Sequence, residues 1–323
     1  MTANAPRYSV IVPVYESDRS VAELVERTCR VFENVIGASF EIVLVDDGSR
    51  RATTWPTLQR LVAERPDQVL AIKLSKNFGK ASAILCGMHH ATGQWIVTID
   101  DDLQQRPEDI AALVAHESHD VVVANFTNRH HDRFTLATSW IKSQFDRVIL
   151  GLPCKMSPMK LIRASVVNAI KEQTTNKPFI PALLAHVTDD FVAVVVAHEP
   201  SHRGKSRYNL RRRFRQFSDL LIGNSNLVLR SVGAFGAMVA LSGMLYAVWI
   251  VFRRVFGTIG EPGWATIVAI NLVFGGLTLI TLGIIGEYLI RILEATTHKQ
   301  PYLVREVARG TQTEHVHRAG VRT

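Results

Sequence analysis

Cysteine is scarce in this chain of 323 residues, with three, Cys29, Cys86 and Cys154. They are odd in number, far apart and without metal-ligand spacing, which excludes a disulfide framework and a cysteine-built zinc site. Cys29 and Cys86 fall within helical patterns and read as small buried hydrophobes in a reducing compartment. No GxGxxG follows the first apolar run and no P-loop occurs, so the two common glycine-rich phosphate cradles are missing. The start, MTANAPRYSV, lacks the basic residues and apolar core expected of a signal peptide. Internal repeats and low-complexity segments are missing too. Charge is also in short supply, at 20% of residues against 47% hydrophobic, with mean hydropathy +0.10. That balance is high for a wholly soluble protein and predicts a membrane portion. The charges present are skewed to a net +8 and a pI near 9.6. Such a skew suits nucleic acid, anionic lipid headgroups or phosphate-bearing substrates, without choosing among them.

The most informative stretch is residues 95–108, WIVTIDDDLQQRPE. It reads as a buried strand over 95–99 running into Asp100, Asp101 and Asp102, then a turn, then a helix opening at Pro107, where proline is tolerated. Side chains alternate along extended backbone, so Asp100 and Asp102 are expected to project together and Asp101 away. Like charges at the end of an apolar strand are costly unless paired or metal-bound. Mg²⁺ or Mn²⁺ relieves that cost, taking one or two carboxylates and completing its shell with water and substrate phosphates. A solvated acidic turn that caps the next helix is the alternative this triplet alone leaves open.

Upstream, strands are predicted over residues 8–14, 40–45 and 69–74, with helices over 19–36, 55–64 and 81–91. Continuous apolar strands alternating with helices predict an α/β fold with a mostly parallel sheet covered on both faces. Ligands of such sheets bind beyond the carboxyl ends of the strands. There the chain places Glu16, Asp46-Asp47 and the Asp100–Asp102 pair. Acidic groups converging on one edge suit a metal–nucleotide or a sugar better than a bare phosphate. Further strands are predicted over 120–125 and 191–197, a helix over 134–150, and an irregular link over 154–162.

Four blocks, VPVYES (12–17), VDDGS (45–49), LSKNFGKASAILCG (74–87) and TIDDDLQ (98–104), resemble those of family 2 glycosyltransferases. More narrowly they resemble its polyprenyl-phosphate branch, which includes dolichyl-phosphate mannose synthases and bactoprenol glucosyltransferases. The resemblance implies a GT-A (nucleotide-diphospho-sugar transferase) fold and sugar transfer from a UDP- or GDP-hexose to a polyprenyl phosphate, with inversion. It also implies roles. Pro13, Tyr15, Glu16, Asp46, Asp47 and Asn77 match positions that hold the nucleotide. Asp100 and Asp102 match the metal-binding, catalytic DxD, which Gln104 joins. Glu16 as a helix N-terminal charge and Asp47-Gly48 as turn chemistry stay open beside these readings.

Arg129 and Arg133, in the basic loop after residue 125, suit acceptor or sugar-donor phosphates, because the guanidinium fork matches phosphate oxygens. Gly204, Ser206 and Tyr208 match the family's GxSxY segment near those phosphates. Relatives often carry arginine three residues before that glycine, where this chain has Ser201, so Arg203 is the expected catalytic substitute. Where many relatives carry an aspartate-bearing GDFRL-like block, this chain has SPMKL at 157–161, which leaves no aspartate to assign as a base. The acceptor needs none: a phosphate monoester has its second pKa near 6 and is largely dianionic at neutral pH.

After a catalytic domain over 1–209, residues 210–230 read as a basic amphipathic helix lying in a membrane interface. Residues 231–252 and 264–286 are 22 and 23 residues without a charge, each long enough to cross a bilayer. They predict a transmembrane hairpin over 231–293 (231–252 and 264–290) and a tail over 294–323 that is disordered at its end. Arg211, Arg212, Arg213, Arg215 and Arg230 before the hairpin, with Arg291, Lys299 and Arg305 after it, outnumber Arg253 and Arg254 in its loop. Catalytic domain and tail are therefore expected on the cytoplasmic side of the inner (plasma) membrane. The partners expected are a nucleotide sugar, a polyprenyl phosphate and membrane lipids, with no nucleic acid; a homo-oligomer remains open. Two alternatives stand beside this reading: a catalytically silent lipid- or nucleotide-binding partner, and a polysaccharide synthase. The second is disfavoured by the lack of a QxxRW motif and of further spans.

Overall fold

The computed structural model describes residues 5–126, 156–173, 178–196, 300–310 and 312–315, with scattered helical positions between 245 and 292. The chain divides into two compact units, Met1–Arg207 with His298–Thr323, and Tyr208–Thr297.

The first unit is built on four parallel strands: β1 (Tyr8–Val14), β2 (Phe40–Asp46), β3 (Val69–Leu74) and β4 (Trp95–Thr98). Every residue of β1 and β2 is buried, as their unbroken apolar runs require of strands covered on both faces. The order β4-β1-β2-β3 fixes where the helices go. Helices α1 (Arg19–Val31) and α2 (Thr54–Glu64) connect strands that step one way across the sheet. Helix α3 (Lys80–His90) connects β3 back to β4, the other way. Crossovers between parallel strands are right-handed, so reversing direction puts α3 on the opposite face. The two cores reflect this. Val10 and Val12 pack with Leu24, Cys29, Phe32 and Leu58 on one face. On the other, Ile11, Val43 and Ile72 pack with Leu85, Cys86 and Met88. Cys29 and Cys86 are thus the buried hydrophobes that their helical spacing suggested.

Helix α1 starts at Asp18, whose carboxylate accepts the Arg19 N–H at 2.9 Å. It widens into a π-turn (Phe32–Ile36) and stops at Gly37, in left-handed backbone at φ +65°. Pro13 costs the sheet nothing. The Ile11 carbonyl accepts the Ile99 N–H, so odd positions of β1 face β4, and paired register there ends at Ile11.

The rest of the sheet departs from the sequence expectation. After helix α4 (Ile110–Val114) comes β5 (Val121–Phe126). The link expected to be irregular over 154–162 contains β6 (Lys160–Arg163), inserted antiparallel between β4 and β5. Its buried Leu161 and Ile162 show why: they fill the two cores left open beside β4. Helices α5 (Ala164–Lys171) and α6 (Ile180–Val187) follow, then β7 (Phe191–Val196), parallel to β5. The expected tail is also corrected. Strand β8 (Val304–Arg309) pairs antiparallel with β3, and β9 (Gln312–His315) pairs with β8. The first unit therefore does not end at 209: it takes back the C-terminal segment, which covers the open edge of β3 and buries Tyr302 in the second core. The described strands make one mixed nine-stranded sheet, β7-β5-β6-β4-β1-β2-β3-β8-β9.

In the second unit the described positions are helical, and large apolar side chains among them are exposed, with Phe252 at 61%, Phe256 at 75% and Ile267 at 62%. Among the described residues no helix is long and apolar enough to cross a membrane. The runs over 231–252 and 264–290, and the basic segment over 210–230, lie largely outside the described residues.

Candidate active site

The strand order reverses between β1 and β4, and crevices at such switch points hold the ligands of open α/β sheets. The segments leaving β1, β2 and β4 meet there. Across the crevice the Tyr15 N–H donates to Asp101 Oδ2 at 3.4 Å, while Tyr15 as a whole is 40% exposed. Glu16 follows in left-handed backbone, at φ +56°. Its N–H donates to Ser49 Oγ at 2.9 Å, and its Oε1 accepts the Arg50 N–H at 2.9 Å. Glu16 thus ties the loop after β1 to the loop after β2.

Asp46, the last residue of β2, is wholly buried. Its Oδ1 accepts the Ser49 N–H at 2.9 Å, whereas Oδ2 is buried with no hydrogen-bond partner. Burial pushes this carboxyl above the usual carboxylate range. A buried acceptor without a donor is costly, and a ligand N–H or O–H would remove that cost. Asp47 works differently. Its two oxygens accept the N–H groups of Phe78 (2.8 Å) and Gly79 (3.0 Å), and burial raises its pKa to about 6. Both oxygens are already occupied by this loop, so Asp47 fastens residues 77–79. Gly48, at φ +64°, lets the backbone of Lys76 and Asn77 lie directly over it. Asn77 is exposed at the tip of that loop.

The acidic triplet does not follow strand alternation. β4 ends at Thr98, and Leu103 is left-handed at φ +58°, so Asp100–Gln104 is a turn. Asp101, expected to point away, is buried and turned in to Tyr15. Asp100 Oδ1 lies 2.5 Å from Lys80 Nζ, and its N–H donates to Oε1 of the buried Gln105 at 3.2 Å. Asp102 Oδ1 accepts the Gln104 N–H at 3.1 Å. Asp102 also lines a cavity of about 550 Å³ with Glu16, Asp18, Glu23, Arg19 and Arg51. The structure therefore brings Asp102 to Glu16, and Asp100 to the start of α3. Arg27 of α1 holds the short helix that follows the turn, its Nε and Nη2 on the two oxygens of Glu108 at 3.0 and 2.7 Å.

Gln105 and Lys80 are site residues that sequence reasoning missed. The adjacent Gln104 drew attention in one case, and in the other the lysine carried no spacing signal of its own. Arg129, Arg133, Arg203, Ser206 and Tyr208 lie outside the described residues. Among the described residues no three His, Cys, Asp or Glu side chains gather to hold a metal ion.

Comparison with known proteins agrees with the resemblance in the motifs. An undecaprenyl-phosphate 4-deoxy-4-formamido-L-arabinose transferase of Edwardsiella ictaluri is 32% identical over 323 residues, covering 95% of each chain. The transferase of the same description from Yersinia pestis is 31% identical over 327 residues, covering 97% of this chain and 98% of its own. A solved mannosyltransferase from Pyrobaculum calidifontis, in complex with GDP-Man and Mn²⁺, is 18% identical with a TM-score of 0.47, covering 91% of this chain and 88% of its own. The family model for glycosyl transferase family 2 matches residues 9–170, the span that carries β1 to β6 and all four motif blocks. With its α/β GT-A sheet, the chain belongs to glycosyl transferase family 2.

Proposed function

We propose that this glycosyltransferase moves a sugar from a nucleotide sugar to a polyprenyl phosphate at a membrane surface. The observation that carries the nucleotide half is Asp46 Oδ2, a buried acceptor without a partner at the crevice edge, which suits an N–H or O–H of a nucleoside. The acceptor half is supported by the names of the relatives, whose alignments run through the apolar segment as well as the catalytic unit. Within that segment, Asn271 Nδ2 and the Thr278 and Thr281 hydroxyls donate to the carbonyls of Ile267, Phe274 and Leu277 in their own helix. Polar side chains in hydrocarbon satisfy themselves in this way. Together with the two uncharged runs, this supports a transmembrane hairpin, and the arginine-rich flanks support a catalytic unit on the cytoplasmic side.

Asp100 and Asp102, with Gln104 beside them, would hold Mg²⁺ or Mn²⁺. Such cations take one or two protein carboxylates and complete their shell with water and substrate phosphates. When bound, the cation neutralises charge on the departing nucleoside diphosphate. The chain's own groups do the rest. Asp46 orients the nucleoside, and Asp47 and Gly48 hold the 77–79 loop in place. Arg129, Arg133 and Arg203 are proposed to position the phosphates. An oxygen of the dianionic acceptor phosphate attacks the anomeric carbon while the bond to the diphosphate breaks, with inversion and without a protein base. The sugar expected from the resemblance is a hexose, whereas the relatives are named for a substituted arabinose.

The test is transfer of label to short polyprenyl phosphates by the full chain in detergent. The panel contains UDP- and GDP-hexoses and nucleotide-linked 4-deoxy-4-formamido-L-arabinose. One organic-extractable product, abolished by EDTA and by Asp102→Asn, is the expected result. Product formation untouched by Asp102→Asn would refute the assignment of the turn. No product from any sugar nucleotide with folded protein would favour the silent lipid- or nucleotide-binding partner.

A further inference from the structure

One contact in the acidic turn has no part in the chemistry above. Lys80 is the first residue of α3, and its Nζ lies 2.5 Å from Asp100 Oδ1. The lysine side chain is 48% exposed and the aspartate only 19%. Both ends of this pair are anchored in the interior. The residue before Lys80, Gly79, stands at φ +96° with its N–H on Asp47 Oδ2 at 3.0 Å. Asp100 is held by its own N–H on Gln105 Oε1. Two backbones fixed by buried side chains thus present the ammonium to the carboxylate. The flexible four-carbon stem still lets that ammonium move without moving the helix.

We infer that Lys80 is the resident counter-ion of Asp100. With nothing bound, it sits on the carboxylate that a divalent cation would take. When cation and nucleotide arrive together, it transfers to a phosphate oxygen of the diphosphate. The electrostatics favour the exchange. A divalent cation at Asp100 repels the ammonium, while the diphosphate arriving beside it attracts the ammonium. The cation alone must displace Lys80 with no anion to receive it. Cation and nucleotide therefore assist each other's binding, a coupling that is reciprocal by linkage. This inference rests on the nucleotide-sugar reading and adds to it a residue that positions the diphosphate.

The test uses the full chain in detergent and two binding measurements, neither of which needs turnover. The first is Mn²⁺ affinity without nucleotide, read by electron paramagnetic resonance. The second is UDP and GDP affinity with Mn²⁺ present, read by calorimetry. Lys80→Met is expected to bind Mn²⁺ alone about two- to fivefold more tightly, the range that a partly exposed ion pair supplies. It should bind the nucleoside diphosphate about tenfold more weakly, as loss of a charged hydrogen bond predicts. Lys80→Arg, which keeps the charge, should bring Mn²⁺ affinity back to that of the parent. The opposite signs are decisive, because a lysine that merely fastens the turn would on removal weaken both. Unchanged or weaker Mn²⁺ binding in Lys80→Met overturns the counter-ion role while leaving the nucleotide-sugar reading intact. A parent protein that binds neither UDP nor GDP with Mn²⁺ overturns that reading, and this inference with it.

Discussion

Replacing Gly48 with alanine places a Cβ 2.2 Å from the Lys76 carbonyl carbon and 2.6 Å from the Asn77 nitrogen. Both neighbours are backbone, so no side chain can swing aside and the two loops must separate. A natural control isolates that effect. Gly37 has almost the same backbone, φ +65° against +64°, but a Cβ added there would meet nothing within 4 Å. Gly37→Ala therefore carries only the left-handed penalty, about 1–2 kcal/mol. Gly48→Ala carries the same penalty and also pulls Phe78 and Gly79 away from Asp47. Each hydrogen bond to a carboxylate contributes roughly 1.5–3 kcal/mol, so the second variant should lose at least about 3 kcal/mol more. For a domain of this size that difference corresponds to roughly 6–12 °C in Tm. Nucleoside diphosphate affinity should fall in Gly48→Ala and stay unchanged in Gly37→Ala, since only the former moves the Asn77 loop. Thermal melts of the purified chain in detergent, paired with calorimetric titration of UDP and GDP, measure both. Equal Tm losses in the two variants, or intact nucleotide binding in Gly48→Ala, would refute the loop-on-loop account.

Asp46→Asn retains an acceptor for the Ser49 N–H and removes a buried charge. Its Tm should hold or rise while nucleoside diphosphate affinity drops about tenfold; unchanged affinity would remove Asp46 from the nucleotide site. Asp47 gives a pH signature. Its folded pKa, about 6, lies above the ordinary 3.8, so the folded state binds the proton more tightly and stability falls as pH rises from about 4 through 6. That gap corresponds to about 3 kcal/mol. The stability difference between parent and Asp47→Asn in urea unfolding should therefore change across this window and flatten above it; a constant difference would contradict the burial that causes it. Tyr302→Ala empties a buried site in the second core beside the His89 ring and should cost roughly 3–5 kcal/mol. A Tm within a degree of the parent would mean that the C-terminal segment does not dock.

The parts of this fold that were legible in the sequence are those where a local pattern meets a local cause. β1 and β2 show as apolar runs because both faces of those strands are covered, and α1 shows because Val21, Leu24, Val25 and Cys29 all face one core. β6 was not legible. It has four residues, and Lys160 and Arg163 at its ends disguise the two apolar ones between them. β8 was hidden for another reason. Its inward positions include Glu306, buried beside Lys73 on β3 with Nζ to Oε1 at 4.0 Å, so its alternation reads as polar tail until the partner strand is known. At the site, the residue types at the strand ends were legible but their directions were not. The partners of Asp100 and Asp102 were hidden because β4 stops at Thr98 and Leu103 adopts a left-handed conformation, and neither is visible in DDDLQQ. Asp46 and Asp47 are adjacent and equally acidic, yet one carries an empty acceptor and the other fastens a loop. Only the path of residues 76–79 separates them.

The pairing of β8 with β3 constrains the apolar segment without reference to its own conformation. Residues up to Arg207 and from His298 onward belong to one compact unit, joined by a strand pairing from Leu70↔Arg309 to Leu74↔Val304 and by the Ser75 N–H on the Leu303 carbonyl at 2.9 Å. A sheet cannot be shared across a bilayer, because every strand in it must reach its neighbour's backbone. Both flanks of the apolar segment therefore stand on the same side, and any crossings between them are even in number. The charge-free runs over 231–252 and 264–286 are two, the smallest even count that uses both. Arginine distribution is the ground for the proposed cytoplasmic side, and the sheet independently requires that the flanks share a side. The same pairing bears on how the unit forms. Until the ribosome has delivered residue 309, beyond both apolar runs, the edge of β3 has no partner, and an open edge of apolar strand is a site of mispairing. Completion of the catalytic sheet therefore waits on the segment proposed to enter the membrane, so that a chain stalled or cut within that segment lacks a strand of its active domain as well as its proposed anchor.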